Sequence, residues 1–220
     1  MNGLETFFSD ATTFLPILLR GVVVTIGLTA SALVASLVMG MAWALMGLSK
    51  SSAPRLVSRL IINTVRGVPI IVQLFYVYFV LPELGLQMDA FIAGALGLGL
   101  AYSVYQAENF RAGFASVDPA LIEAAEALGM SERKIFVRVV LPLAVRVALP
   151  PFGNTAVMLL KDSSIASTIT VAELTRAGQL LAVSTFKNMS VYTLIALLYL
   201  AMSLPLTFAV GQLERKFARR

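Results

Sequence analysis

A chain of 220 residues that is 58% hydrophobic and only 13% charged is too apolar for a water-soluble domain, where roughly a quarter of residues carry charge. It contains no cysteine and no histidine, which removes disulfides, thiolate metal sites, the usual zinc ligands and general base, and any Ser-His-Asp triad. The net charge of +5 does not imply a nucleic-acid partner, because Lys and Arg lie mostly between apolar runs, where cytoplasmic membrane anchors belong.

The N-terminal stretch does not read as a secretory signal: residues 2–19 hold Glu5 and Asp10 but no Lys or Arg. A membrane span needs about 20 apolar residues. The first is expected over about 15–49, free of charge from Gly21 to Ser49. Along it Ala32, Ser36, Gly40 and Ala44 recur every fourth residue, a seam of small side chains that lets helix backbones approach closely in lipid.

The second span is expected over about 60–81, interrupted only by Arg66. Asn63, Arg66 and Gln73 share a helical stripe there, and Gly67 and Pro69 mark a kink or break. Broken helices near the bilayer midplane commonly hold substrates in transporters, so Gly67, Val68, Pro69 and Gln73 are candidates for a translocation path. A kink without a ligand role, and snorkelling of Arg66, are the alternatives.

The third span, about 90–113, carries a second small-residue seam of Ala93, Gly97 and Ala101. Tyr102, Tyr105 and Asn109 line one face, and Glu108 and Arg111 either border the path or simply pair with each other.

Between the third and fourth spans lies a charged interruption. Asp118-Pro119 is a strong helix start and Gly129 a natural stop, which predicts a helix over about 119–128, too short and too charged to span. Leu121, Ala124, Ala125 and Leu128 fall on one face, with Glu123 and Glu126 towards the other. Helices resting on headgroups favour Lys and Arg on the polar face, so a helix that transmits force from a soluble partner fits better.

The fourth span, about 136–160, contains Arg146 and a Pro150-Pro151 bend, with Asn154, Met158 and Lys161 on one face. Lys161, Asp162 and Ser163 at its far end are path candidates or interfacial anchors. A short helix is expected near 171–180, and the fifth span over about 188–213. Basic residues Lys50, Arg55 and Arg59, then Arg133, Lys134 and Arg138, then Arg215, Lys216, Arg219 and Arg220 put the C-terminus in the cytoplasm and the N-terminus outside. Arg20 dissents mildly.

The segment "EAA" at 123–125, followed by Gly129, Val139 and Leu141-Pro142, resembles the EAA loop of ABC-importer permeases, E-A-A-x3-G-x9-I-x-L-P, with Val139 in place of Ile. "RGVPIIVQLFYVYF" (66–79), "YQAENFRAG" (105–113) and "LLKDSSIAS" (159–167) are similar to segments of the polar amino acid permease branch. Gln106 and Asp118-Pro119-Ala120 depart from that branch's commoner residues. The resemblance implies an all-α fold of the type I importer kind, forming one permease domain over 1–220, in the bacterial inner membrane. It implies that Glu123, Ala124, Ala125, Leu128, Gly129 and Met130 couple to an ATPase. Gly67, Val68, Pro69, Gln73, Tyr105, Glu108, Arg111, Lys161, Asp162 and Ser163 are the residues expected to border the path. Implied partners are a cytoplasmic ABC ATPase dimer, which would hold ATP and Mg, an extracytoplasmic amino acid-binding protein, a second permease chain and membrane lipid.

This chain itself lacks a G-x4-G-K-[ST] phosphate loop and is not expected to bind a cofactor or hydrolyse ATP. A permease for another small polar or opine-like solute is the nearest alternative. A secondary transporter or channel is disfavoured by the lack of a buried proton relay, and an intramembrane enzyme by the lack of His, Cys and a metal-ligand cluster.

Overall fold

A computed structural model describes residues 3–218, and these are helical with no strand. Arg219 and Arg220, used above for orientation, lie outside the described residues. Four helices are long and apolar enough to cross a membrane: α1 (Gly3–Gly47), α4 (Ala90–Ala115), α6 (Glu132–Ile169) and α8 (Asn188–Ala218). A fifth crossing is the bent pair α2 (Ser52–Gly67) and α3 (Ile70–Leu84). Two short helices complete the fold, α5 (Pro119–Ala127) and α7 (Leu174–Thr185).

The second span extends beyond the expected 60–81, running from Ser52 to Leu84, and the kink or break expected at Gly67 and Pro69 is a sharp one, with α2 and α3 meeting at 106°. Val68 precedes a proline and is therefore pushed out of the helical region to φ −109°, ψ 130°, which ends α2. The first helix also departs from its expected bounds of 15–49, since it begins at Gly3 and continues through Pro16. Phe7, Ala11, Phe14 and Leu18 form one stripe, and buried Phe14 and Leu18 pack with Leu174, Leu181, Val191, Leu194 and Ile195 of α7 and α8. Near this end the Asp10 carboxylate, 4% exposed, accepts hydrogen bonds from Lys187 Nζ and Ser190 Oγ.

Two further shifts are smaller. The fourth span runs from Glu132 to Ile169, overshooting 136–160, because it starts before a π turn at 136–140 and tightens into a 3-10 helix over Ser163–Ile169. The helix expected near 171–180 begins only at Leu174. Thr170 is left-handed (φ 67°) and Glu173 supplies the cap.

At the centre stands α4, the most buried of the crossing helices. Its most extensive partner is α1, along the seam read from the sequence: Ala32, Ser36, Gly40 and Ala44 are all buried. A Cβ placed on Gly40 would stand 2.6 Å from Gln106 Cβ and 2.8 Å from the Ser103 carbonyl oxygen, so the two backbones are nearly in contact. At Gly27, on the same helix, an added Cβ would meet only ring atoms of Phe91 at 3.8 Å or more.

Gly40→Ala is therefore expected to destabilise the detergent-purified protein by about 1–3 kcal/mol through overpacking. Gly27→Ala should be neutral or slightly stabilising, and thermal unfolding of the two variants side by side checks the contrast.

Candidate functional site

The break between α2 and α3 has its own clamp. Ending α2 at Gly67 strands carbonyls that lipid cannot satisfy. Gln73, one turn into α3, folds back so that its Nε2 donates to the carbonyl oxygens of Val65 and Val68, both at 2.8 Å. The side chain is 8% exposed, and among the described residues its Oε1 has no donor. A cavity of about 190 Å³ opens here, lined by Val68, Pro69, Gln73 and Tyr105 together with Arg66 and Val104. Four of the expected path residues thus meet at one place. Gly67, where an added Cβ would meet nothing within 4 Å, stands at the break but does not line the cavity.

The remaining expected residues sort differently. Glu108 is held between two guanidinium groups, Arg111 Nη2 at 2.6 Å from one oxygen and Arg66 Nη2 at 3.3 Å from the other. The pairing weighed from the sequence is formed, with a second partner that joins α2 to α4. Asp162 accepts a 2.6 Å hydrogen bond from the hydroxyl of Tyr102, whose ring lies 5.7 Å from that of Tyr105. Asp162 is in this way linked to the break cavity through two tyrosines. Ser163 is buried and donates to the Leu160 carbonyl, whereas Lys161 is exposed.

A larger cavity, about 1080 Å³, contains none of the expected path residues. Arg146, Pro150, Asn154 and Met158 line it along one side of α6, facing Asn109 of α4 and Glu214 of α8. Asn154 Nδ2 donates to Glu214 Oε1 at 2.9 Å, and Asn109 Nδ2 donates to Thr155 Oγ1 at 3.3 Å. The i, i+4 recurrence of Arg146, Pro150, Asn154 and Met158 was the available signal; Glu214 was hidden beside the basic run Arg215-Lys216.

Glu173 was also missed. It is fully buried and accepts from the backbone N–H groups of Thr175 (2.8 Å) and Arg176 (2.7 Å) and from the Tyr199 hydroxyl (2.9 Å). Burial pushes its carboxyl pKa up from the ordinary value, and these donors oppose the rise. It caps α7 and ties it to α8. A lone Glu ahead of a Thr-Arg pair gives no such sign in sequence.

The short helix α5 is locked at both ends. Asp118 Oδ1 accepts from the Ala120 N–H at 2.9 Å. At the other end Gly129 is left-handed (φ 70°); its N–H donates to Glu126 O at 2.9 Å and the Met130 N–H to Ala125 O at 3.2 Å, the two bonds of a Schellman motif. A Cβ on Gly129 would meet nothing within 4 Å, so the glycine is required by its backbone conformation and not by space.

The apolar face of α5 is mostly not a buried one. Of the four apolar residues expected together, only Ala125 is buried, at 5% exposure, while Leu121 and Leu128 are 47% and 81% exposed. Ile122 takes the inner position, against a cluster of Phe110, Phe114, Val117 and Ala144 joined by Phe136 and Val140. The aromatic pocket under α5 selects Ile122. Leu121, Glu123, Ala124 and Leu128 are left facing outward.

Residues 32–219 match the family described as binding-protein-dependent transport system inner membrane component. The chain belongs to that family. The glutamine transport system permease protein GlnP of Escherichia coli (strain K12) is 34% identical over 207 residues, covering 92% of this chain and 93% of the relative. The L-cystine transport system permease protein TcyB of Bacillus subtilis (strain 168) is 33% identical over 208 residues, covering 94% and 89%.

Among solved structures, the crystal structure of an amino acid ABC transporter with histidines superposes with a TM-score of 0.86 at 34% identity, covering 95% of this chain and 98% of that one. An inward-facing MetNI methionine ABC transporter shares the fold, with a TM-score of 0.77 at 19% identity over 92% of this chain and 97% of that one. The permease has the type I ABC importer fold and is a multi-pass inner membrane protein.

Replacing Gln73 with Leu is expected to strand the Val65 and Val68 carbonyls at about 1–3 kcal/mol for each buried group left unmade. The thermal unfolding midpoint of the purified permease should fall, and Gln73→Glu, which has no amide donor, should not restore it.

Proposed function

We propose that this permease imports a polar amino acid in a cycle driven by a cytoplasmic ABC ATPase dimer and fed by an extracytoplasmic binding protein. The observation that carries the reading is α5: a helix capped at both ends, seated on α4 and α6 through Ile122, and turning Leu121, Glu123 and Leu128 outward. Exposed leucines on so short and rigid an element suit a docking surface, and the aromatic cluster beneath gives a displacement of α5 a direct route into two membrane helices. The names of relatives at 33–34% identity, glutamine and cystine permeases, support an amino acid as cargo.

The orientation that goes with this has the N-terminus outside, with α5, the α1–α2 turn and the C-terminus cytoplasmic. A second permease chain would face the polar side of α6. Arg146, Asn154 and Lys161 are exposed on a helix whose composition otherwise suits lipid, and charged residues at such depth belong in a water-filled path or against protein. An amino acid zwitterion needs donors for its carboxylate and acceptors for its ammonium. Arg146 and Lys216 supply the former in the large cavity, and Glu214 supplies the latter, with Gln73 Oε1 a further acceptor at the break.

ATP-driven closure of the ATPase dimer would move the two α5 helices together, and α4 and α6 would rotate with them. ATP and Mg are held by the ATPase in this scheme. Each state must bind the cargo differently for the coupling to work.

Proteoliposomes holding the permease with its ATPase test the reading. Binding protein loaded with a polar amino acid should stimulate ATP hydrolysis, and unchanged hydrolysis across polar amino acids would overturn it. Gly129→Val, which forces a β-branched residue into the left-handed region at about 1–2 kcal/mol or more, should lower stimulated hydrolysis and uptake while membrane insertion persists. Gly129→Asn, tolerated at such caps, should keep most of both.

A further inference from the structure

The basic face of α2 has no role in the scheme above. Arg55, Arg59 and Arg66 recur at spacings of four and seven, so they share one side of the helix with Asn63. That side closes a cleft of about 180 Å³ against α1 and α4, where Trp43 and Gly47 of α1 and Glu108 and Arg111 of α4 complete the walls. The cleft therefore holds four guanidinium groups and one carboxylate. Glu108 is taken up by Arg66 and Arg111. Among the described residues, Arg55 and Arg59 have no carboxylate within ion-pair distance.

Away from the arginines α2 is apolar and bare: Leu60 and Val57 are 56% and 43% exposed, and Leu56, next to Asn63, is 56% exposed. At 16 residues α2 is about 24 Å long, and its 106° bend from α3 turns it away from the direction in which α3 crosses beside α4. A helix that is basic on one side and carries bare apolar residues beside it suits the headgroup end of this bent crossing, with leucines towards the acyl layer and arginines at phosphate depth. An acidic protein surface would match the arginines, but it would leave Leu56, Val57 and Leu60 without a partner.

We propose that the cleft between α1, α2 and α4 binds the phosphate of an anionic phospholipid of the cytoplasmic leaflet, held by Arg55 and Arg59 while Glu108 occupies Arg66 and Arg111. Guanidinium groups grip phosphate through paired N–H donors, which lysine cannot reproduce. Because Glu108 neutralises only part of the cleft, the site is selective for anionic over zwitterionic headgroups. The proposal rests on the cytoplasmic placement of the α1–α2 turn given above, but its test is independent of import.

Native mass spectrometry of the intact permease–ATPase complex, titrated in detergent with phosphatidylglycerol or with phosphatidylcholine, reads the site. Phosphatidylglycerol adducts should persist and phosphatidylcholine adducts should not, and each of Arg55→Gln and Arg59→Gln should lower the former about fivefold. Lys134→Gln, a basic cytoplasmic position outside the cleft, should leave the adducts unchanged; an equal loss there would mean general charge attraction and overturn the proposal. Displacement of phosphatidylglycerol by millimolar inorganic phosphate would also overturn it, in favour of a soluble anion. Release of the ATPase from the Arg55→Gln/Arg59→Gln double variant would identify the cleft as a protein-docking surface instead.

Discussion

Everything in this permease hangs on how closely other helices can approach α4. In lipid the hydrophobic effect does not drive helices together, so packing must come from backbone contact and dispersion between small residues. Three neighbours of α4 are met at glycines. A Cβ on Gly99 would stand 2.7 Å from Ala35 Cβ of α1, one on Gly97 2.9 Å from Leu74 Cδ2 of α3, and one on Gly113 2.5 Å from the Ala144 carbonyl oxygen of α6. Gly40 completes the contact from the α1 side. Three crossing elements are thereby fixed around one axis.

The same scarcity of water governs the break between α2 and α3. A proline-terminated helix leaves carbonyls that nothing in a hydrocarbon phase will satisfy, and Gln73 meets two of them with one amide. The clamp holds the bend and keeps a cavity beside it. Arg66, at the end of α2, is tied to α4 through Glu108. The residues that looked like substrate ligands are in part the fastenings of the break: Gln73 spends its amide on two carbonyls, and Asp162 is held by Tyr102.

Much of this was legible because local rules act on local residues. Asp118-Pro119 and Gly129 bound α5 within one residue of the reading, since capping and left-handed glycine depend on neighbours alone. Pro69 announced the break, though not its angle, which the packing of α3 on α4 decides. The stripes of small residues marked the α1 and α4 seams.

What escaped the reading depends on distant partners. Leu121, Ala124, Ala125 and Leu128 share a face, but which side of α5 is inward is decided by the phenylalanines of α4 and α6, which select Ile122. The first turns of α1 carry polar residues and Pro16, and they are helical because α7 and α8 receive Phe14 and Leu18. Glu173 and Glu214 acquire their meaning only from Tyr199 and Asn154, which lie 26 and 60 residues away in the chain.

The central claim, that the outward face of α5 docks on an ATPase, is tested most directly by thiol accessibility, since the chain has no cysteine of its own. Leu128→Cys, at a position 81% exposed in the free permease, should react readily with a membrane-impermeant maleimide when the permease is purified alone. It should become protected once the ATPase subunit is added, while Glu83→Cys, in the α3–α4 region, should stay equally reactive in both. Leu128→Cys that labels at the same rate with and without a bound ATPase would contradict the docking of α5.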